Sequence, residues 1–276
     1  MIKEFNIDFT EKEISLIYQK VKDYPWGSVK DLDGWEHGTN KKYLKELCDY
    51  WITKFDWSKH ELEINKFNNY ITKIDGIKIH FIKIKGSSEN SKPLLLMHGW
   101  PGSIIEFLHI IEKLAHPEKF GGNEKDSFDV IVPSLPGFGF SGSPSKPMGP
   151  RKMAEILNKL MIENLGYKNY MAQGGDWGAT IANWLGYDHA NFCKAIHINC
   201  LTMRHPEGPQ SDEERNWQKK FNEDQIMQEG YRTQQATKPQ SLGYGMMDSP
   251  VGIAAWITEK MYSWSDLKNN DIESVY

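Results

Sequence analysis

The stretch that most constrains the fold of this 276-residue chain is Gln173-Gly174-Gly175-Asp176-Trp177-Gly178. An apolar run, Tyr170-Met171-Ala172, leads into it and predicts a short buried strand. The segment from Gly178 to Leu185 leads out and predicts a helix. The chain must turn sharply between the two, which crowds the flanking backbones, and Gly174 and Gly178 stand where G-x-S-x-G places its small residues. The residue at the tip is a carboxylate. That is a poor acylating group but a reasonable nucleophile toward a saturated carbon, where it gives an alkyl ester that water can later hydrolyse. The elbow therefore points to carbon–oxygen or carbon–halogen cleavage rather than to peptide or ester hydrolysis. The competing reading is a glycine-rich turn whose Asp176 only caps the next helix.

Around the elbow the sequence alternates between strand and helix patterns. Pro93-Leu94-Leu95-Leu96-Met97 and Phe128-Asp129-Val130-Ile131-Val132-Pro133 read as strands buried on both faces, and Lys194 to Ile198 reads as one more. Helices are predicted over 104–114 and 153–165. Asn69–Ile74 and Lys78–Ile84 flank Asp75-Gly76, a hairpin signal. Such alternation predicts an α/β fold with a mostly parallel sheet and helices on both faces, whose ligands bind at the carboxyl ends of the strands. His98 to Ser103, Leu135 to Gly142 and Asp176 all fall at that edge. Before the sheet, Thr10-Glu11-Lys12-Glu13 predicts a capped amphipathic helix. An aromatic-rich meander follows, from Tyr24 to Phe67, with one helix near 40–54. After the sheet, 202–229 is charged and mainly helical, 231–245 is loop-like, and Asp248-Ser249-Pro250 opens a helix to about Trp264. The all-helical tail reads as a lid over the strand ends.

Charge narrows the partners. With 33 basic and 37 acidic residues, no nucleic acid or acidic membrane surface is expected. Cys48, Cys193 and Cys200 lack metal-ligand spacing and fit free thiols in a reducing compartment. The first residues have no apolar signal-peptide run, and no stretch approaches a membrane span. A cytoplasmic chain with no membrane anchor, metal or cofactor is expected; the oligomeric state is not readable.

Four motifs occur in order: His98-Gly99-Trp100-Pro101-Gly102-Ser103, Ser134-Leu135-Pro136-Gly137-Phe138-Gly139-Phe140-Ser141, the Asp176 elbow, and Asp248-Ser249-Pro250-Val251-Gly252. Together with Gly34-Trp35, Tyr50-Trp51 and Phe55-Asp56-Trp57, they resemble the epoxide hydrolases of the microsomal and juvenile-hormone type, within the α/β-hydrolase superfamily. The resemblance implies an N-terminal extension with the first strands over 1–90, a hydrolase core over 91–201, and a helical lid over 202–276. It implies that Asp176 attacks an epoxide carbon to form a covalent ester. The backbone N–H groups of Trp100 and Trp177 would form the oxyanion hole, Tyr231 would donate to the epoxide oxygen, and Pro101 would follow a cis bond. A pocket with Trp100, Phe138, Trp177 and lid aromatics suggests a bulky apolar epoxide, aryl or terpenoid, as the small-molecule substrate, and a place in detoxification or aromatic-hydrocarbon breakdown. His98 is expected behind the oxyanion loop in a structural role.

One departure accompanies the match. In the family the triad's acid and histidine, with a second lid tyrosine, follow the segment where this chain stops, and Asn199 is not a carboxylate. The expectation is a C-terminally truncated hydrolase that lacks its last strands, leaves Ala195 to Ile198 as an exposed edge, and turns its ester over slowly. Two other readings stand beside it. A haloalkane dehalogenase-like hydrolase would use the Trp177 indole as a halide donor, and a non-catalytic binding relic would keep only the pocket.

Overall fold

The structure, a computed structural model, describes residues 1–200 and 205–276. Thr202 and its neighbours 201–204, where the charged helical segment was expected to begin, lie outside the described residues. Strands are β1 (Lys3–Glu4), β2 (Asn69–Ile74), β3 (Ile77–Ile84), β4 (Lys92–Met97), β5 (Phe128–Pro133), β6 (Tyr170–Gly174) and β7 (Cys193–Ile198). Helices are α1 (Glu11–Lys22), α2 (Lys41–Thr53), α3 (Trp57–Asn65), α4 (Leu108–Ala115), α5 (Pro150–Lys159), α6 (Trp177–Asp188), α7 (Asp212–Gln228), α8 (Gly230–Thr237), α9 (Pro239–Asp248) and α10 (Pro250–Trp264). The chain forms two compact units, Met1–Asp8 with Lys59–Arg204, and Phe9–Ser58 with His205–Tyr276.

The first unit is built on one sheet of order β1-β2-β3-β5-β4-β6-β7 among the described residues. Its first three pairings are antiparallel, and those joining β5, β4, β6 and β7 are parallel. The sheet is therefore mixed, and its parallel half carries the elbow. The β2–β3 hairpin turns at Asp75 (φ 48°) and Gly76 (φ 84°), two positive values that match the twist of a tight two-residue turn. β4 and β5 are apolar along most of their length because they are buried: Leu95, Met97, Val130 and Ile131 have no exposed surface. Ala154, Ile156 and Leu157 of α5 and Ile181, Ala182 and Leu185 of α6 join Leu95, Met97 and Ile131 in one core. The 153–165 helix begins earlier, at Pro150, whose missing N–H costs nothing at a first helical position, and it ends in a π-turn over Leu160–Asn164. The predicted 104–114 helix starts as a 3₁₀ turn, Ile104–Phe107, before α4. β7 is the outermost strand of the sheet among the described residues, pairs only with β6, and leaves Ile196 41% exposed.

The second unit is helical. Thr10 and Glu13 form the expected capping box on α1, and Ser249 caps α10 through the Gly252 N–H. Val21, Leu44, Cys48 and Val251 make its core, so α1, α2 and α10 pack together. Trp35 stacks on Tyr262 with ring centroids 4.1 Å apart. The loop-like reading of 231–245 is wrong: α8 and α9 occupy it. Pro239 starts α9 at its first turn rather than breaking a helix, and nothing packs within 4 Å of a Cβ built on Gly243 or Gly245, so neither marks a tight turn.

Candidate active site

The elbow forms where β6 delivers Gly174 and α6 departs at Trp177. Asp176 between them has φ 49° and ψ −121°, a sparsely populated conformation that a non-glycine residue keeps only when its surroundings enforce it. The enforcement is steric and comes from the neighbouring backbones. A Cβ at Gly178 would strike the Met97 and His98 carbonyls at the end of β4, and one at Gly174 would strike the backbone of Gly178. Strand, turn and helix close on each other only because neither residue has a side chain.

Asp176 occupies the N-cap position of α6, yet its side chain makes no capping hydrogen bond. That disposes of the cap reading. The carboxylate is exposed, and its Oδ1 accepts the Trp100 N–H at 2.8 Å. Trp100 reaches it because Gly99 has no side chain; a Cβ there would overlap the Asp176 carboxylate. The Trp100–Pro101 bond is cis, as expected. Trp177 is the first residue of α6, so its N–H is one of the helix donors with no intrahelical acceptor, at the end where the helix dipole favours negative charge. Among the described residues Asp176 has no hydrogen bond to a histidine.

His98 ties the neighbouring loop to this one. It is buried, and its Nε2 must accept because Leu135 N–H donates to it at 3.2 Å. The ring proton therefore sits on Nδ1 and is donated to Gly99 O at 3.0 Å. Burial pulls the His98 pKa below the usual imidazole value, while the Gly99 hydrogen bond and the Asp176 charge oppose it. The Phe138 ring packs edge-on against His98, with centroids 5.3 Å apart.

A second buried histidine, missed in the sequence, anchors the same loop. Asn69 spends its amide N–H groups on Ile64 O and Phe67 O, so its Oδ1 accepts from His80 Nε2 at 3.0 Å. His80 Nδ1 is left to accept from the Ser134 hydroxyl at 2.9 Å. Ser141 Oγ accepts the His80 N–H at 2.9 Å and donates to Ser134 O at 2.7 Å. All three side chains of the Asn69–His80–Ser134 chain are buried, and burial, aided by the Lys78 charge, drives the His80 pKa down to about 4. The clue was a histidine in the middle of an alternating strand beside two serines seven residues apart.

The structure thus brings Asp176, Trp100 and Trp177 to one strand edge, with Phe138 joined through His98. Tyr231 belongs to the second unit, on α8. There its ring meets Trp264 edge-on (5.0 Å), and the Lys260 ammonium lies 5.1 Å from the ring centre. Lys260 is 6% exposed and pairs with Glu259 at 2.5 Å.

Residues 2–107 match the family model for the epoxide hydrolase N terminus, and residues 92–242 match that for the alpha/beta hydrolase fold. The chain belongs to the alpha/beta hydrolase fold family. Within it, the chain carries the N-terminal region of epoxide hydrolases. It is 34% identical over 294 residues to epoxide hydrolase 1 of Sus scrofa, covering 99% of this chain and 64% of that protein. It is 35% identical over 287 residues to juvenile hormone epoxide hydrolase 1 of Ctenocephalides felis, covering 96% of this chain and 61% of that protein. It superposes on the crystal structure of juvenile hormone epoxide hydrolase from Bombyx mori with a TM-score of 0.85 at 29% identity, covering 96% of this chain and 67% of that one. The chain thus spans about three fifths of the length of the curated relatives named here. No described helix is long and apolar enough to cross a membrane.

Proposed function

We propose that this chain performs the chemistry of an epoxide hydrolase, with Asp176 as the nucleophile and alkylation faster than hydrolysis. The observation that carries the reading is the Asp176 carboxylate held off its own helix by the Trp100 N–H. With Oδ1 engaged by the Trp100 N–H, Oδ2 is the attacking oxygen. It attacks an epoxide carbon, the carbon–oxygen bond breaks, and the electron pair passes to the ring oxygen, which takes a proton and becomes a hydroxyl. The product is a 2-hydroxyalkyl ester whose carbonyl oxygen is Oδ1. Water then adds to that carbonyl, the N–H groups of Trp100 and Trp177 stabilise the oxyanion, and loss of the alcohol frees a vicinal diol and Asp176. The proton for ring opening is assigned to the Tyr231 phenol by the family resemblance. Trp100, Phe138 and Trp177 favour an apolar epoxide. The relatives named epoxide hydrolase and juvenile hormone epoxide hydrolase support the same substrate class. A role in detoxification, or in the breakdown of aromatic hydrocarbons, is consistent with such a substrate.

Hydrolysis of the ester needs a base beside the elbow, and Asp176 has no histidine partner among the described residues. Incubation with styrene oxide and intact-mass measurement tests the reading. The expected result is one persistent adduct on the native chain and none on Asp176→Ala, with labelling slowed about tenfold or more in Tyr231→Phe. Diol without a persistent adduct would refute slow hydrolysis. Equal labelling of Asp176→Ala would refute the nucleophile, and halide release from a haloalkane would move the substrate class.

A further inference from the structure

The Trp100 N–H can serve Asp176 only if the backbone of 100–103 is held still, and what holds it is a second carboxylate. Glu106 as a residue is exposed, but its carboxyl group turns back along the 3₁₀ turn and its Oε1 accepts the Ser103 N–H at 3.1 Å. Ser103 Oγ in turn accepts the Ile105 N–H at 3.3 Å. The carboxyl group occupies the space that a side chain on Gly102 would need: a Cβ built there collides with Glu106 Oε1. The glycine in this loop therefore leaves room for a carboxylate brought in from four residues on. The Asp176 charge acts on Glu106, so the capping pair at the start of the 3₁₀ turn responds to the elbow.

We infer that Glu106 is a positioning residue for the reaction at Asp176, fixing the Trp100–Ser103 backbone so that the Trp100 N–H stays aimed at the carboxylate. The inference rests on Asp176 being the nucleophile. Partial burial raises the Glu106 pKa, the Ser103 hydrogen bond opposes that shift, and the Asp176 charge adds to it. Esterification of Asp176 removes that charge, so Glu106 holds its proton less tightly in the covalent state.

Three variants separate geometry from charge. Glu106→Ala removes the acceptor, Glu106→Gln keeps a carbonyl acceptor without the charge, and Gly102→Ala displaces the carboxyl group while leaving it in the chain. The first readout, amide hydrogen exchange of residues 99–106 in the full chain, does not depend on the reaction. Exchange at Trp100 and Ser103 is expected to speed up about tenfold in Glu106→Ala and Gly102→Ala, and to return most of the way in Glu106→Gln. Adding Gly102→Ala to Glu106→Ala is expected to change nothing further, because the collision is gone. The second readout is the labelling rate with styrene oxide, expected to fall about tenfold in Glu106→Ala and to recover in Glu106→Gln. The third is a carbon-13 titration of the Glu106 carboxyl, expected to shift downward in Asp176→Asn. Unchanged exchange in Glu106→Ala, a full extra effect of Gly102→Ala in the double variant, or faster exchange with unchanged labelling would each overturn the inference. If the native chain is not labelled at all, the nucleophile reading fails, while exchange and titration still decide whether Glu106 holds the loop and senses Asp176.

Discussion

Acid should destabilise the first unit through His80 as the pH falls from 6.5 toward 4. The ring is buried, its Nε2–H is committed to Asn69 Oδ1 and its Nδ1 accepts from Ser134, so a proton on Nδ1 would turn the acceptor into a donor and leave a charge in the core. The folded pKa is about 4 against 6.5 for the free ring. A histidine depressed in the folded state takes its proton only on unfolding. Its penalty is therefore absent above 6.5 and accumulates as pH falls from 6.5 toward 4. Integrating the proton-uptake difference gives a loss of about 2 kcal/mol on going from roughly pH 7.5 to pH 5, and about 3 kcal/mol once both forms are protonated, at about 1.4 kcal/mol per pKa unit. Urea unfolding of the native chain and of His80→Gln at a series of pH values measures it. Gln sacrifices part of the network and lowers the baseline, so the informative quantity is the pH slope. The native chain should lose about 2 kcal/mol more than His80→Gln across that interval, with unchanged denaturant slopes. Parallel curves for the two proteins would refute the reasoning, since the acid sensitivity would then lie elsewhere.

Two further outcomes test the construction of the site. Gly178→Ala forces a methyl group into the Met97 and His98 carbonyls and is expected to cost roughly 3 kcal/mol or to prevent folding, with loss of styrene oxide labelling in whatever folds, read by thermal melt and mass. Ile131→Ala, within β5 and with no exposed surface, should cost roughly 2–5 kcal/mol in urea while leaving the labelling rate at saturating epoxide near that of the native chain, because it empties a core position without touching the strand ends.

What was legible in the sequence follows from how local each signal is. β5 can be read to the residue because a strand buried on both faces is apolar along most of its length, here Val130 to Pro133 after the ion-paired Asp129. α1 can be read from its capping box, and the hairpin from Asp75-Gly76, because both are closed within four residues. The motif loops could be placed at one strand edge for a topological reason: in parallel strands the carboxyl ends share a side. Three features were not legible. α8 and α9 were read as loop because Pro239, Gly243 and Gly245 look like breakers until it is known that the proline sits at N1. The partner of β3 was not legible because strand periodicity reveals neither strand order nor direction, and β3 pairs antiparallel with β5 across the 43 intervening residues Lys85 to Ser127.

The third omission concerns the chemistry itself. Motif matching draws attention to the residues with reactive groups, Asp176 foremost, yet what sets the geometry of Asp176 is mostly what its neighbours lack. Gly99 has no Cβ where the carboxylate lies, Gly178 has none where the β4 carbonyls lie, and Gly102 has none where the Glu106 carboxyl lies. Each absence admits a specific partner from elsewhere in the chain, and one sequence cannot say which, because a glycine that makes room looks the same as a glycine that merely turns. The polar side chains that fill these spaces and brace the loops, Glu106, His80 and Ser134, carry no motif of their own. Their roles follow from hydrogen bonds made to backbone that the elbow forces into view: Glu106 grips Ser103 N–H, and Ser134 is fixed on both sides, by His80 through its hydroxyl and by Ser141 through its carbonyl. A carboxylate exposed at a strained turn is only as well aimed as those grips are rigid.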